Sequence, residues 1–320
     1  MTRKNVVPQL DIIIPAYKCS HTIRRTLQSL DMQMDPDFNL ILVLDGEDTE
    51  LAAAAMACAP ACSSFKIITR PENGGPGACR NTGIDESHAP YLMFLDADDI
   101  LLPHAVSTTY RGIEQGFDYM IGKTMRQAQN GNFDVVGSEQ LTWLHGRVYN
   151  REFLTLNKIR FPELPMSEDL AFNMLCAEYA KTVPETAWPI HIQQWRGDSI
   201  SHRQGAEKLQ AKTYIQACLY YAQNINPSSA LLLPNAVANC YYYLDCVERM
   251  FPEDKDLYGR MCKDFISLSE IIDLPELLCR GWENRLSAAL ASPGRPFGKL
   301  YIPEMTFTQR LIDAEHKAEE

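Results

Sequence analysis

The sequence predicts an α/β protein: a mostly parallel sheet flanked by helices, followed by a C-terminal helical region. Three observations carry that reading. Between residues 10 and 95, short apolar runs alternate with segments of helical periodicity in the order β-α-β-α-β-α-β, an alternation that calls for crossover connections and hence parallel strands. Every apolar run stops abruptly at proline, glycine or charged residues. Beyond Gly205 the strand pattern gives way to long amphipathic stretches.

The elements follow in order. Residues 10–14 are a compact β-branched run closed by Pro15, which reads as a buried strand. Residues 21–30 place Ile23, Leu27 and Leu30 at helical spacing behind Ser20, the expected cap. A second strand, 40–44, ends at Asp45-Gly46, and the alanine-rich 49–57 is a helix. Residues 65–69, 78–86 and 91–95 complete the series as strand, helix and strand. From 101 to 202 the pattern is irregular, with a β-rich stretch at 119–136 turning at Asn130-Gly131 and a helix at 170–180 introduced by Ser167-Glu168-Asp169. Helices are expected around 208–222 and 237–250, and a frayed charged end at 313–320. The organisation is therefore 1–204 as one domain, with halves 1–103 and 104–204, and 205–320 as a helical region.

Composition narrows the function. A formal charge of −11 over 320 residues argues against a nucleic-acid surface. No apolar run reaches the length of a membrane span and the N-terminus lacks a signal-peptide core, so a cytoplasmic protein is expected. The ten cysteines are scattered without metal-ligand spacing and read as reduced core thiols.

In parallel α/β sheets, ligands bind beyond the carboxyl ends of the strands. The chemically notable residues fall there: Pro15-Ala16-Tyr17 after the first strand, Asp45-Gly46 after the second, residues 70–77 after the third, and Asp96-Ala97-Asp98-Asp99 after the fourth. Three carboxylates within four positions repel one another unless a cation joins them. A divalent ion held by one or two carboxylates and substrate phosphates is one solution; a solvated turn in which Asp99 caps a helix is the other.

Taken together, Ile12-Ile13-Ile14-Pro15-Ala16-Tyr17, Leu44-Asp45-Gly46, Asn73-Gly74-Gly75-Pro76-Gly77-Ala78-Cys79-Arg80-Asn81 and Phe94-Leu95-Asp96-Ala97-Asp98-Asp99 resemble the family-2 glycosyltransferases with the GT-A fold. The resemblance implies a Rossmann-like nucleotide-sugar-binding domain that moves a sugar, with inversion, from a nucleoside diphosphate sugar to a hydroxyl acceptor on a glycan or glycolipid. It implies Mn²⁺ or Mg²⁺ at Asp98 with Asp96 and Asp99. It assigns the nucleotide to Pro15, Ala16, Tyr17 and Asp45, and the donor to Asn73, Gly74, Gly75, Arg80 and Asp96, Arg80 either reaching the diphosphate or pairing with the aspartates. By the same resemblance His145 and Arg147 approach the donor, Arg196 the diphosphate, with His202 or Arg203 assisting, and Asp169 in Pro165-Met166-Ser167-Glu168-Asp169 is the general base. The alternatives are a sugar nucleotidyltransferase, for which the loop after the first strand lacks a basic glycine-rich phosphate cradle, and a non-catalytic nucleotide-sugar-binding module. The helical region leaves three roles open: an acceptor groove, self-association, or peripheral membrane contact.

Overall fold

The computed structural model describes residues 8–137, 143–197, 199, 203–226 and 232–273. The chain divides into two compact units, Met1–Gly197 and Asp198–Glu320.

In the first unit β1 (Leu10–Ala16), α1 (Ile23–Asp31), β2 (Asn39–Leu44), α2 (Thr49–Met56), β3 (Ser64–Thr69), α3 (Gly75–Asp85) and β4 (Tyr91–Phe94) succeed one another as the alternation predicts. They are followed by β5 (Ile100–Leu101), α4 (Ala105–Ile113), β6 (Tyr119–Gln127), β7 (Phe133–Val136), β8 (Val148–Asn150), α5 (Arg151–Leu156), α6 (Glu168–Tyr179) and β9 (Glu185–Gln193). One nine-stranded sheet runs β3-β2-β1-β4-β8-β6-β9-β5, with β7 added to β6. The β3-β2-β1-β4 half is parallel throughout. Beyond it the pairing is mixed: β8 is antiparallel to β4 and β6, whereas β9 is parallel to β6 and antiparallel to β5.

The run Ile12-Ile13-Ile14 is fully buried because the parallel half is covered on both faces. On one side Ile12, Ile14, Leu40 and Leu42 join Ile23, Leu27 and Leu30 of α1 in a single core. The β6–β7 hairpin forms where the Asn130-Gly131 turn predicts it. Two helix starts differ from expectation. Thr22, not Ser20, precedes α1, its hydroxyl donating to the Cys19 carbonyl. The third helix begins at Gly75 rather than 78, with Pro76 in its first turn, where a missing N–H costs nothing.

The second unit contains α7 (Ala206–Gln223), α8 (Leu233–Met250) and α9 (Lys255–Ile271). Tyr214 packs on Tyr243 and Tyr241 on Phe265, at centroid separations of 4.6 and 4.7 Å, so the aromatic faces of these helices meet each other. Lys208 ties α7 to the cap of α9 through Asp254 at 2.8 Å. Among the described residues no helix is long and apolar enough to cross a membrane. His202 and the charged end 313–320 lie outside the described residues.

Candidate functional site

The carboxyl ends of β1, β2, β3 and β4 carry the residues singled out in the sequence. Asp45, directly after β2, is buried and accepts the N–H groups of Gly74 and Gly75, one on each carboxylate oxygen, both at 2.8 Å. It thereby caps the N-terminus of α3 from another element, satisfying orphan donors and complementing the helix dipole. Gly75 makes this possible with φ +82°, a conformation that side chains disfavour. Arg70, at the end of β3, lies 3.8 Å from the same carboxylate. Tyr17 is exposed on the loop after β1, and Asn73 is exposed beside the glycine turn.

After β4 the chain turns tightly, Asp99 N–H reaching the Asp96 carbonyl at 3.1 Å. The turn splays the three carboxylates toward three different cations. Asp96 receives Arg80 at 2.8 Å, and Arg80 also binds Glu168 at 2.7 Å. Burial alone would favour neutral Arg80, but Asp96 and Glu168 prevail and hold its guanidinium firmly charged. Asp98 receives Arg196 at 2.8 Å, and Arg196 also reaches His21 at 3.3 Å. Asp99 is buried, with Oδ2 3.3 Å from His145 Nδ1 and 3.4 Å from His191 Nε2, while Oδ1 accepts the Gln194 N–H at 3.0 Å.

These surroundings move the proton affinities. Burial, together with Asp99 and Asp96, pushes Asp98 up to about 6 despite Arg196. Burial opposes ionisation of Asp99, but the two imidazoles outweigh it and its pKa falls. His145 is pulled down by burial and, more strongly, up by Asp99, Asp96 and Asp169, to about 8; His191 is driven toward its neutral form by burial. Half-buried Asp98, next to Asp99 and close to Asp96, offers a carboxylate of the kind that a divalent oxygen-liganded cation takes.

Asp169 stands in the first turn of α6, preceded by Ser167 in a left-handed conformation at φ +65°. That backbone is uncommon for a non-glycine residue and sets the direction in which Glu168 and Asp169 leave the helix. Asp169 accepts its neighbour Leu170 N–H at 2.9 Å. It keeps a solvent-accessible edge yet is densely surrounded, and burial with the adjacent Glu168 pushes it up to about 7 against the pull of Arg80 and His145.

The structure thus ties Asp96 to Glu168, the neighbour of Asp169, through Arg80, pairs Asp98 with Arg196 and Asp99 with His145 at the same turn, and joins Asp45 to Gly74 and Gly75. It does not gather Asp96, Asp98 and Asp99 around one point, because the turn directs Asp99 toward β9. Arg147 is 2% exposed, with its guanidinium 5.6 Å over the Tyr119 ring. Two members escaped the sequence reading as site residues. His191 sits opposite Leu101 through the β5–β9 pairing, a non-local contact with no local signal. Glu168 was visible only as the neighbour of Asp169.

The fold has a counterpart among solved structures. S. aureus TarS 1–349, crystallised with UDP-GlcNAc, superposes with a TM-score of 0.65 at 19% identity over 83% of each chain, which establishes the GT-A fold. The family described as "Glycosyl transferase family 2" matches residues 11–167. Those residues form a family-2 glycosyltransferase domain. The matched span begins in β1 and ends at Ser167, so the domain takes in both the acidic turn and the approach to Asp169. Among curated relatives, the teichoic acid poly(glycerol phosphate) polymerase of Staphylococcus epidermidis is 36% identical over 100 residues, 31% of this chain and 14% of the relative. The poly(ribitol-phosphate) β-glucosyltransferase of Bacillus spizizenii is 28% identical over 196 residues, 56% of this chain and 31% of the relative. The chain therefore spans well under two thirds of the length of these relatives.

Proposed function

We propose that this glycosyltransferase moves a sugar from a nucleoside diphosphate sugar, a UDP-sugar foremost, to a hydroxyl of a cell-surface polymer or glycoconjugate, with inversion and with Mn²⁺ or Mg²⁺. One observation carries the reading: Arg80 bridges Asp96 of the acidic turn to Glu168 at the start of α6, so the half-buried carboxylates Asp98 and Asp169 follow the two ends of one bridge in the chain. A metal anchor and a base are what a single displacement requires. The UDP complex of TarS supports a uridine donor, and the polyol-phosphate polymers of the relatives support a cell-surface acceptor.

In this reading Pro15, Ala16, Tyr17 and the loop anchored by Asp45 receive the nucleotide, with Asn73, Gly74 and Gly75 beside the donor. Asp98, with Asp96, would hold the divalent cation, which would stabilise charge on the departing diphosphate. Arg196 supplies positive charge to that leaving group, and Arg80 keeps Asp96 oriented. His145 stands beside Asp99 of the same turn. Asp169 removes the acceptor proton, its carboxylate ionising near neutrality. Purified chain is incubated with a panel of UDP-sugars with and without Mn²⁺. Metal-dependent UDP release supports the transferase, formation of UTP and sugar 1-phosphate only when pyrophosphate is added points to a nucleotidyltransferase, and binding without turnover reduces the chain to a nucleotide-sugar-binding module.

A further inference from the structure

We propose that Asp99, His145 and His191 form a second cation site, which takes a transition-metal dication of the Zn²⁺ or Co²⁺ kind through one carboxylate oxygen and two imidazole nitrogens, apart from the cation at Asp98. The distances argue first. His145 Nδ1 and His191 Nε2 lie 3.3 and 3.4 Å from Asp99 Oδ2, and the three atoms fall within 4.8 Å of one another. A charge-assisted N–H···O bond closes to about 2.7–2.9 Å. By contrast, tetrahedral ligation at about 2.0–2.1 Å separates neighbouring ligand atoms by about 3.3–3.4 Å. Both carboxylate–imidazole separations have the length of a ligand edge rather than of a hydrogen bond.

His191 supplies the second, independent observation. Its side chain is fully buried, and among the described residues neither ring nitrogen has a hydrogen-bond partner, the Asp99 contact lying outside hydrogen-bond geometry. A polar group left so is costly. A cation between the three side chains engages the Nε2 lone pair that no other described residue meets.

The outer partners fit as well. Asp99 Oδ1 is fixed by the Gln194 N–H, leaving Oδ2 for the cluster. His145 Nε2 lies 3.2 Å from the Gln193 side-chain amide; with the amide oxygen turned inward, Gln193 accepts the Nε2–H of a His145 that ligates through Nδ1. The backbone is committed to the arrangement too. Gly146 adopts φ +70°, and a Cβ there would lie 2.6 Å from the Gly122 carbonyl oxygen and 3.3 Å from the His191 Cβ. Only glycine lets the His145 segment lie flat on β6 beside β9. Two imidazoles and one carboxylate select a transition metal over Mg²⁺ or Ca²⁺, and three protein ligands leave a fourth position for an oxygen from solvent or substrate.

Such a site stands or falls independently of the sugar-transfer reaction. Full-length chain, stripped with chelator, is titrated with Co²⁺ and followed by visible d–d absorption and by paramagnetically shifted proton resonances. The expected result is one tightly held Co²⁺ with tetrahedral-type absorption, unaffected by a large excess of Mg²⁺, and exchangeable imidazole N–H signals from two histidines. The absorption is lost in His191→Ala and Asp99→Asn and kept in Asp98→Asn. Equal Co²⁺ uptake by wild type and His191→Ala, a wild type without the absorption, or a band that disappears only with Asp98→Asn overturns the proposal. If His191→Ala does not fold, the two shifted N–H signals in wild type decide.

Discussion

Replacing Arg80 by Met tests whether the acidic turn depends on its buried guanidinium. Arg80 is 4% exposed and spans two carboxylates from different elements, Asp96 at 2.8 Å and Glu168 at 2.7 Å, over the face of Phe161. Methionine preserves much of the volume but leaves both carboxylates without their cation. Breaking a buried pair costs about 3–5 kcal/mol, and because the Asp96 side chain is 33% exposed the lower end, about 3 kcal/mol, is expected. For a unit of this size each kcal/mol lowers the melting temperature by about 2–4 °C, so the loss is about 6–12 °C by circular dichroism. Arg80→Lys rescues little, since one ammonium cannot reproduce two separate guanidinium contacts. Adding Asp96→Asn and Glu168→Gln to Arg80→Met recovers part of the loss, because the stranded charges go with the cation. A stability within about 0.5 kcal/mol of wild type for Arg80→Met alone would refute the argument that this ion triad holds the turn to α6.

Asp169→Asn is expected to lower kcat by about 10²–10⁴-fold while nucleotide affinity, read by calorimetry, stays unchanged. In wild type, kcat/KM rises with pH and levels off above an inflection near 7, since only the ionised carboxylate accepts the proton; a flat profile from pH 5 to 8 speaks against the assignment. Asp98→Asn is expected to abolish Mn²⁺-dependent donor turnover, and in wild type the Mn²⁺ requirement sharpens below about pH 6 as protons compete for Asp98. Gly75→Ala forces a side chain into a left-handed conformation and is expected to cost about 1–2 kcal/mol in urea denaturation, with weakened nucleotide binding.

Local pattern made the parallel half of the sheet readable. Ile12-Ile13-Ile14 and Leu40-Ile41-Leu42-Val43-Leu44 are buried on both sides, so their continuous apolar character reports their environment directly. The mixed half is different. The short strand Ile100–Leu101 pairs with Glu185–Gln193 across a long stretch of sequence, and no periodicity in either segment announces the other. The same reasoning applies to the site. Asp96 and Asp98 stand out as clustered charge at a strand end, but Glu168, which shares Arg80 with Asp96 from the start of α6, and Arg196, which meets Asp98 from beyond β9, arrive from remote parts of the chain. The burial of Arg147 over Tyr119 is likewise a non-local fact that its own segment does not announce. Helix starts drifted where capping came from outside the helix, as Asp45 does for the helix beginning at Gly75.

The splaying of the acidic turn has a thermodynamic consequence. With Asp96 facing Arg80, Asp98 facing Arg196 and Asp99 facing His145, each aspartate of the turn already has a basic partner before any donor arrives. Carboxylates so partnered pull on a free dication at Asp98 less than three bare ones would, and a dication added there beside Arg196 gathers positive charge that a diphosphate then neutralises. Metal and diphosphate are accordingly expected to strengthen each other's binding by the same factor, whichever arrives first. Cooperative capture of the metal–nucleotide pair, rather than stepwise loading, follows from the direction in which three aspartates point.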